Sequence, residues 1–261
     1  MRRDNVFGEF LQARRARVRP GEVGIEAHGR RRVPGLRRDE LARLAGVSVQ
    51  YLTRLEQGVD GNPSTQVVDA LATALRLDPD SAAHLRSLAA PPSQPHEPSE
   101  ARAEVQHLLD SWGSTPAYVR DRWFDVLMAN KAAMVLAPMY HPGRNLVRDV
   151  FCDPATRRLF PDWPDIAAQT VAALRAAADP RDPRTAALVE DLQANEEFRA
   201  LWARHDVRPS RDEIKRFDHP DAGRLTLRRQ TLTVAGAEDQ VIIVYQAEPG
   251  SSSADALARL L

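Results

Sequence analysis

Gln50, Tyr51, Thr53 and Arg54 place an amide, a phenol, a hydroxyl and a guanidinium close together in one short segment, RDELARLAGVSVQYLTRLEQG at residues 38–58. With the apolar Val49 beside them, this set suits the edges of bases in a major groove, where Gln and Arg make two-pronged contacts. Two helices and a turn must present it. Leu41, Leu44 and Ala45 recur at the spacing of one buried helix face, and Asp39 and Glu40 fall in a first turn that favours anions. Gly46 permits a sharp break, Ser48 can cap the next helix, and Leu52 and Leu55 point back to a core. The pattern predicts a helix-turn-helix docked on DNA; the other reading is an ordinary corner between two helices.

Other chemistry is poorly supported. The seven histidines, His28, His84, His96, His107, His141, His205 and His219, show no metal-ligand spacing. No glycine-rich phosphate loop or GxSxG turn is present, and the single cysteine, Cys152, sits beside Asp153, which opposes a thiolate. Asp179 with Asp182, and Glu196 with Glu197, lie at helix starts or beside prolines and read as caps and solvated faces. The expectation is therefore no metal, no cofactor and no catalysis.

The net charge of zero conceals an asymmetry. Residues 1–90 hold 15 arginines and no lysine against 11 acids, so this part carries about +4 and the remainder about −4. The basic part is the candidate for nucleic acid. One cysteine excludes an internal disulfide, and no apolar run reaches the length of a membrane span. The Met-Arg-Arg start lacks a signal peptide's apolar core, so a cytoplasmic location is expected, with no membrane partner.

Around the central motif, 4–17 reads as a helix with Val6, Phe7, Phe10 and Leu11 on one face. The long connection to the motif carries Arg30, Arg31 and Arg32 in a row, suited to gripping phosphates or to lying solvated on the surface. Val67, Val68, Leu71, Ala74 and Leu75 mark a further helix from Ser64, and Asp78-Pro79 starts another. Five helices result, enough for one small core. RDELARLAGVS, YLTRLEQG, NPS and VVDALATALRLDP resemble the XRE (Cro/C1-type) helix-turn-helix regulators over the first ninety residues. Arg37, where that family often has a capping Thr, and the GRRRVPG insertion depart from its pattern and are shared by an actinobacterial subgroup. The resemblance implies that Gln50, Tyr51 and Arg54 face bases of operator DNA, while Arg37, Arg38 and Thr53 touch phosphates.

APPSQPHEPS, at 90–99, is rich in proline and serine and marks a linker. A helix follows over 101–112, then strands over 118–120 and 123–129, and helices through 131–205. Three strands, 214–219, 224–234 and 240–247, alternate around PDAG and AGAED turns. The expected fold is an α-helical helix-turn-helix domain (1–90), a Pro/Ser-rich linker (91–99) and an α+β domain (100–261) whose five-stranded antiparallel sheet carries helices on one side. Two strands, then helices, then three strands is a PAS-like order. TPAYVRDRWFDVLMAN, RNLVRDVFCDPATRRLFPDW, FRALWARHDV and IKRFDHPDAGRLTLRRQTLTV resemble the MmyB-type (MltR-like) ligand-binding domain.

That resemblance implies a small-molecule effector, with a fatty-acid-like compound as the suggested class. Tyr118, Met128, Phe151, Trp163, Phe198, Trp202 and Tyr245 can wall an apolar cavity, and Asn130, Arg144, Asn145 and His205 can orient a polar head. The same aromatics equally suit a filled core, and His205 equally suits a helix end bonded to Asp206. A homodimer on a two-fold operator completes the expectation, because one such domain rarely supplies enough affinity alone. A protein-interaction module in place of the sensor is the main rival.

Overall fold

The computed structural model describes residues 5–26, 33–91, 103–209 and 211–261. Arg30, Arg31 and Arg32, and most of the expected linker, lie outside the described residues.

The first part is helical: α1 (Val6–Arg15), a 3-10 turn at Pro20–Val23, α2 (Arg38–Leu44), α3 (Val49–Glu56), α4 (Thr65–Ala74) and α5 (Pro79–Ala89). The starts follow from local chemistry. The side chains of Ser48, Ser64 and Asp78 accept from backbone N–H groups three residues on, and Pro79 stands at the first position of α5. Phe10, Leu11, Leu36, Leu41, Leu52, Leu55, Leu71 and Leu85 form the buried core. Leu44, expected in that core, is 38% exposed, because α2 ends there and its last side chain overhangs the turn.

The second part holds a five-stranded sheet, β1 (Ala117–Asp121), β2 (Val126–Ala129), β3 (Glu213–His219), β4 (Gly223–Val234) and β5 (Ala237–Ala247). Its order is β2-β1-β5-β4-β3, every pair antiparallel. Strand β2 starts later than the expected residue 123. Phe124 takes a left-handed backbone (φ 70°), and the Asp121 carboxylate accepts from the N–H groups of Trp123 and Asp125, both at 2.9 Å, forming a tight turn instead.

Helices α7 (Lys131–Leu136), α8 (Leu146–Cys152), α9 (Pro154–Leu159), α10 (Trp163–Ala177), α11 (Pro183–Leu192) and α12 (Glu196–Trp202) pack with one sheet face in a single large core. Two helices differ from expectation. α6 (Ala103–Ser111) sets Leu109 and Val105 against the opposite face with Ala117, Val119, Met128, Ile242 and Val244, so the sheet is covered on both sides. α13 (Ser252–Leu260), which the sequence reading did not foresee, is capped by Ser251 and buries Ala256 and Leu257 on the main core.

The two parts touch. Val207, just past α12, is buried in the helical domain's core, with Ala176 packed against it. Arg17 pairs with Asp206 at 2.6 Å, and Arg211 pairs with Asp80. The Arg181 guanidinium, held by Asp179, donates to the carbonyls of Ser87, Leu88 and Ala90 at the end of α5.

Candidate nucleic-acid interface and sensor core

Ser48 accepts from the Tyr51 N–H at 3.1 Å and fixes where α3 begins. Leu52 and Leu55 are fully buried, which turns Val49, Gln50 and Arg54 to solvent and leaves Tyr51 and Thr53 half-buried. Thr53 donates to the Val49 carbonyl at 2.8 Å, and Arg54 pairs with Asp60 at 2.8 Å while staying 58% exposed. The helix therefore presents an apolar contact, an amide and a guanidinium outward, the last held by a partner it can exchange.

Arg37 and Arg38 differ from each other. Arg37 is exposed at the N-cap of α2, where its own backbone N–H donates to Glu40 at 2.6 Å. Arg38 donates from Nε to Glu56 at 2.8 Å. Glu56 is fully buried and also accepts from Arg15, Nε at 2.6 Å and Nη2 at 3.2 Å. One carboxylate thus ties α1, α2 and α3 together, and Arg38 helps fix the helix-turn-helix geometry. Position 56 falls on the buried period, four residues after Leu52, but a carboxylate at a helix end reads as solvated, so its residue type hid it.

In the second domain Tyr118, Phe151, Trp163, Phe198, Trp202 and Tyr245 share the main core, in two groups of rings. Tyr118 and Tyr245 lie on the helix-facing side of the sheet with Tyr140. The Tyr118 ring stacks on Tyr140 at 4.5 Å, and the hydroxyls of Tyr140 and Tyr245 are 2.9 Å apart. Burial pushes all three phenols up, so they stay protonated. Phe151 meets Trp163 and Phe198 edge-on at 6.0 and 5.2 Å, and Phe198 stacks on Trp202 at 5.7 Å. Met128 faces the other way. It pairs in register with Val119, whereas Tyr118 pairs with Ala129, and alternation along a strand places neighbours on opposite faces.

The polar candidates are committed elsewhere. Asn130 is buried and makes four hydrogen bonds: its amide donates to Leu109 and Thr115, and its oxygen accepts from Ala117 and Ala133. Asn145 caps α8 through Val147 and Arg148. Arg144 is exposed and pairs with Asp149 and Asp153. Asn145 and Arg144 line an outer cleft with Trp123 and Arg184. His205 lies at the junction of the two halves, in a left-handed backbone (φ 52°), with its ring 6.2 Å from that of Phe10.

The sequence reading missed a basic band on the helix-facing side. Glu213, Arg229 and Tyr245 form one row across β3, β4 and β5, with Lys215 and Arg120 nearby in the same layer. Burial lowers the Lys215 ammonium and takes Arg120 to about 10. Lys215 pairs with Glu213 at 2.8 Å and donates to Gln169 at 2.5 Å. A cavity of about 40 Å³ lies here against Gln169, Thr170, Arg208 and Arg229, room for one or two waters. Strand parity with Tyr118 and Tyr245 was the available signal for Arg120 and Arg229. Among the described residues, no group of three His, Cys, Asp or Glu side chains is placed to hold a metal, and no helix is long and apolar enough to cross a membrane.

An exposed helix with a polar outward face on a small helical domain, joined to an α+β domain, has the layout of a DNA-binding regulator. Residues 6–85 match the family described as a helix-turn-helix domain, and residues 101–261 match the MmyB-like transcription regulator ligand binding domain. The chain belongs to the MmyB-like, ligand-responsive transcription regulators. No curated protein matches it. Among solved structures it is similar to one titled "Structure of an RNA-binding Light-Oxygen-Voltage Receptor", at 12% identity and a TM-score of 0.27. That match covers 85% of this chain, which spans 56% of that receptor, and a superposition this loose bears on neither fold nor function.

Proposed function

We propose that this cytoplasmic regulator binds a two-fold operator as a homodimer and that an apolar, fatty-acid-like molecule, taken up between sheet and helices, changes the spacing of its two recognition helices. The observation that carries the DNA part is the outward set of Val49, Gln50 and Arg54 on a helix whose opposite face is buried. Arg54 is assigned to a base edge, Arg37 and Thr53 to phosphates, and Arg38 to holding α2 and α3 through Glu56. Arg54→Ala is expected to cost about 1–3 kcal/mol of operator affinity and relax preference at one base pair. Competition binding against operator variants checks this, and an unchanged affinity and preference removes Arg54 from base contact.

The ligand part rests on the family match together with the buried tyrosine hydroxyls and cations inside an otherwise aromatic layer. Native mass spectrometry of the purified chain, followed by solvent extraction, tests it. A stoichiometric apolar acid supports the sensor. The tight filling of the layer, with its cavity of about 40 Å³, favours a second reading, in which this domain is an interaction module that binds no small molecule. A bare mass and no response to added fatty acids would select that one.

A further inference from the structure

Cavities also lie between the two domains, away from the sheet. Two of them, of about 520 and 250 Å³, adjoin and share Val6, Pro180, Gln193 and Trp202. Val6 comes from α1 of the DNA-binding domain, as do Glu9 from α1 and His84 and Leu88 from α5; Arg175, Trp202 and His205 come from the sensor. The walls mix apolar and polar side chains, and Glu9, His84, Arg175, Arg199 and His205 all line the smaller cavity.

Those polar groups are under-used. Arg175 is 4% exposed, and its guanidinium lies 3.8 Å over the Trp202 ring. It donates to the Trp202 carbonyl at 2.6 Å and meets His205 Nδ1 at 3.3 Å, while its Nε has no partner. Among the described residues, no carboxylate forms an ion pair with it. Asp206, whose charge acts on Arg175, is taken by Arg17 and Arg204 at 2.6 and 2.8 Å. His84, 7% exposed, has a buried Nε2 with no partner. Arginine is almost never fully buried without an anion, because desolvating the charge is costly unless it is paired. Arg14 and Arg17 add to the positive field there.

We propose that this cleft is a second effector site, built for a small carboxylate with a compact apolar body, whose occupant bridges the DNA-binding domain and the sensor. The carboxylate pairs with Arg175 and accepts from His84 Nε2 in its N–H form. The apolar body lies along Val6, Leu88, Pro180 and Trp202. Glu9, the acid that lines the same cavity as Arg175 and His84, opposes the anion and limits how tightly it is held. Because both domains supply walls, occupation adds contacts across the junction and holds the helical domain at one angle to the sensor. The site does not depend on what fills the sheet–helix layer, and only its effect at DNA rests on the regulator assignment.

Sodium hexanoate is the probe, titrated into the full chain by ligand-observed NMR with hexan-1-ol as the uncharged control. Hexanoate is expected to bind and hexanol to bind at least about tenfold more weakly, the factor a charge-assisted pair supplies. Arg175→Met should weaken hexanoate by about tenfold or more, and Glu9→Gln should tighten it by about threefold. Glu9 is partly exposed, so its variant keeps the test decisive if Arg175→Met fails to fold. No binding of hexanoate, equal binding of hexanol, or wild-type affinity in Glu9→Gln and in any folded Arg175→Met overturns the site. Sequence-specific DNA binding of the free chain, measured in parallel, tests the regulator assignment separately.

Discussion

Glu56→Ala is expected to destabilise the helical domain by about 3–5 kcal/mol, the usual cost of removing one partner from a buried ion pair. The side chain has no exposure, and its two oxygens hold Arg15 from α1 and Arg38 from α2. Truncation leaves a hole where the carboxylate was and an unpaired guanidinium at Arg15, whose side chain is only 16% exposed. Arg38, at 40% exposure, turns to water at little cost, so most of the loss comes from the Arg15 side. The Glu56 backbone carbonyl also accepts from Asn5 and Gln12, which keeps α3 attached to α1 in the variant and localises the damage to α2. Equilibrium denaturation of the full chain reads the change. The paired replacement Arg15→Met with Glu56→Met should recover most of the loss, since an apolar pair avoids the desolvation that an orphaned charge imposes. A Glu56→Ala protein with the parent's unfolding midpoint would refute the role given to this carboxylate.

The second large effect is acid sensitivity at the domain junction. Burial, followed by the charges of Arg175 and Arg14, lowers the His84 and His205 imidazoles to about 3. Both are neutral in the folded chain, whereas the unfolded chain protonates them near 6.5. The sign follows: the folded state binds fewer protons between pH 6.5 and 3, so stability is full above 6.5 and falls as the pH drops through that window. The slope is about 1.4 kcal/mol per pH unit for each histidine. Asp121 works the other way. Its carboxyl is raised to about 6 by burial, so its contribution grows as the pH falls from 6 to 4 and offsets about one histidine there. Subtracting the denaturation profile of His84→Gln from that of the parent isolates the junction. The difference should slope with pH between 6.5 and 4, and a flat difference would mean that His84 is not held neutral.

What the sequence disclosed, and what it withheld, divides along the range of the forces involved. Caps at Ser48, Ser64 and Asp78, and the buried period of Leu52 and Leu55, act within a few residues, so the helix-turn-helix was legible almost residue by residue. The five strands were legible because alternation and turns at Gly223 and Gly236, both in the left-handed backbone region, are local too. Pairing between distant residues was not. That Arg38 turns to Glu56 rather than outward depends on where α3 ends in space. Met128 was grouped with Tyr118, although only the register of β1 on β2 decides which face each occupies. Asn130 looks like a polar ligand group in sequence, yet two carbonyls and two N–H groups claim it once α6 and β1 are in place. Trp202 and His205 belong to a cleft at the domain junction and not to the space between sheet and helices, and nothing in a linear chain says that the end of α12 meets α1.

Val207 carries a consequence for how this protein is inherited and engineered. The core of the DNA-reading half is completed by a side chain that the chain reaches only after most of the sensor has been made. Synthesis from the amino end therefore leaves that core one side chain short until the later segment arrives. The reader is not portable: grafted onto another sensor, it would need a substitute plug, or would trade stability for independence.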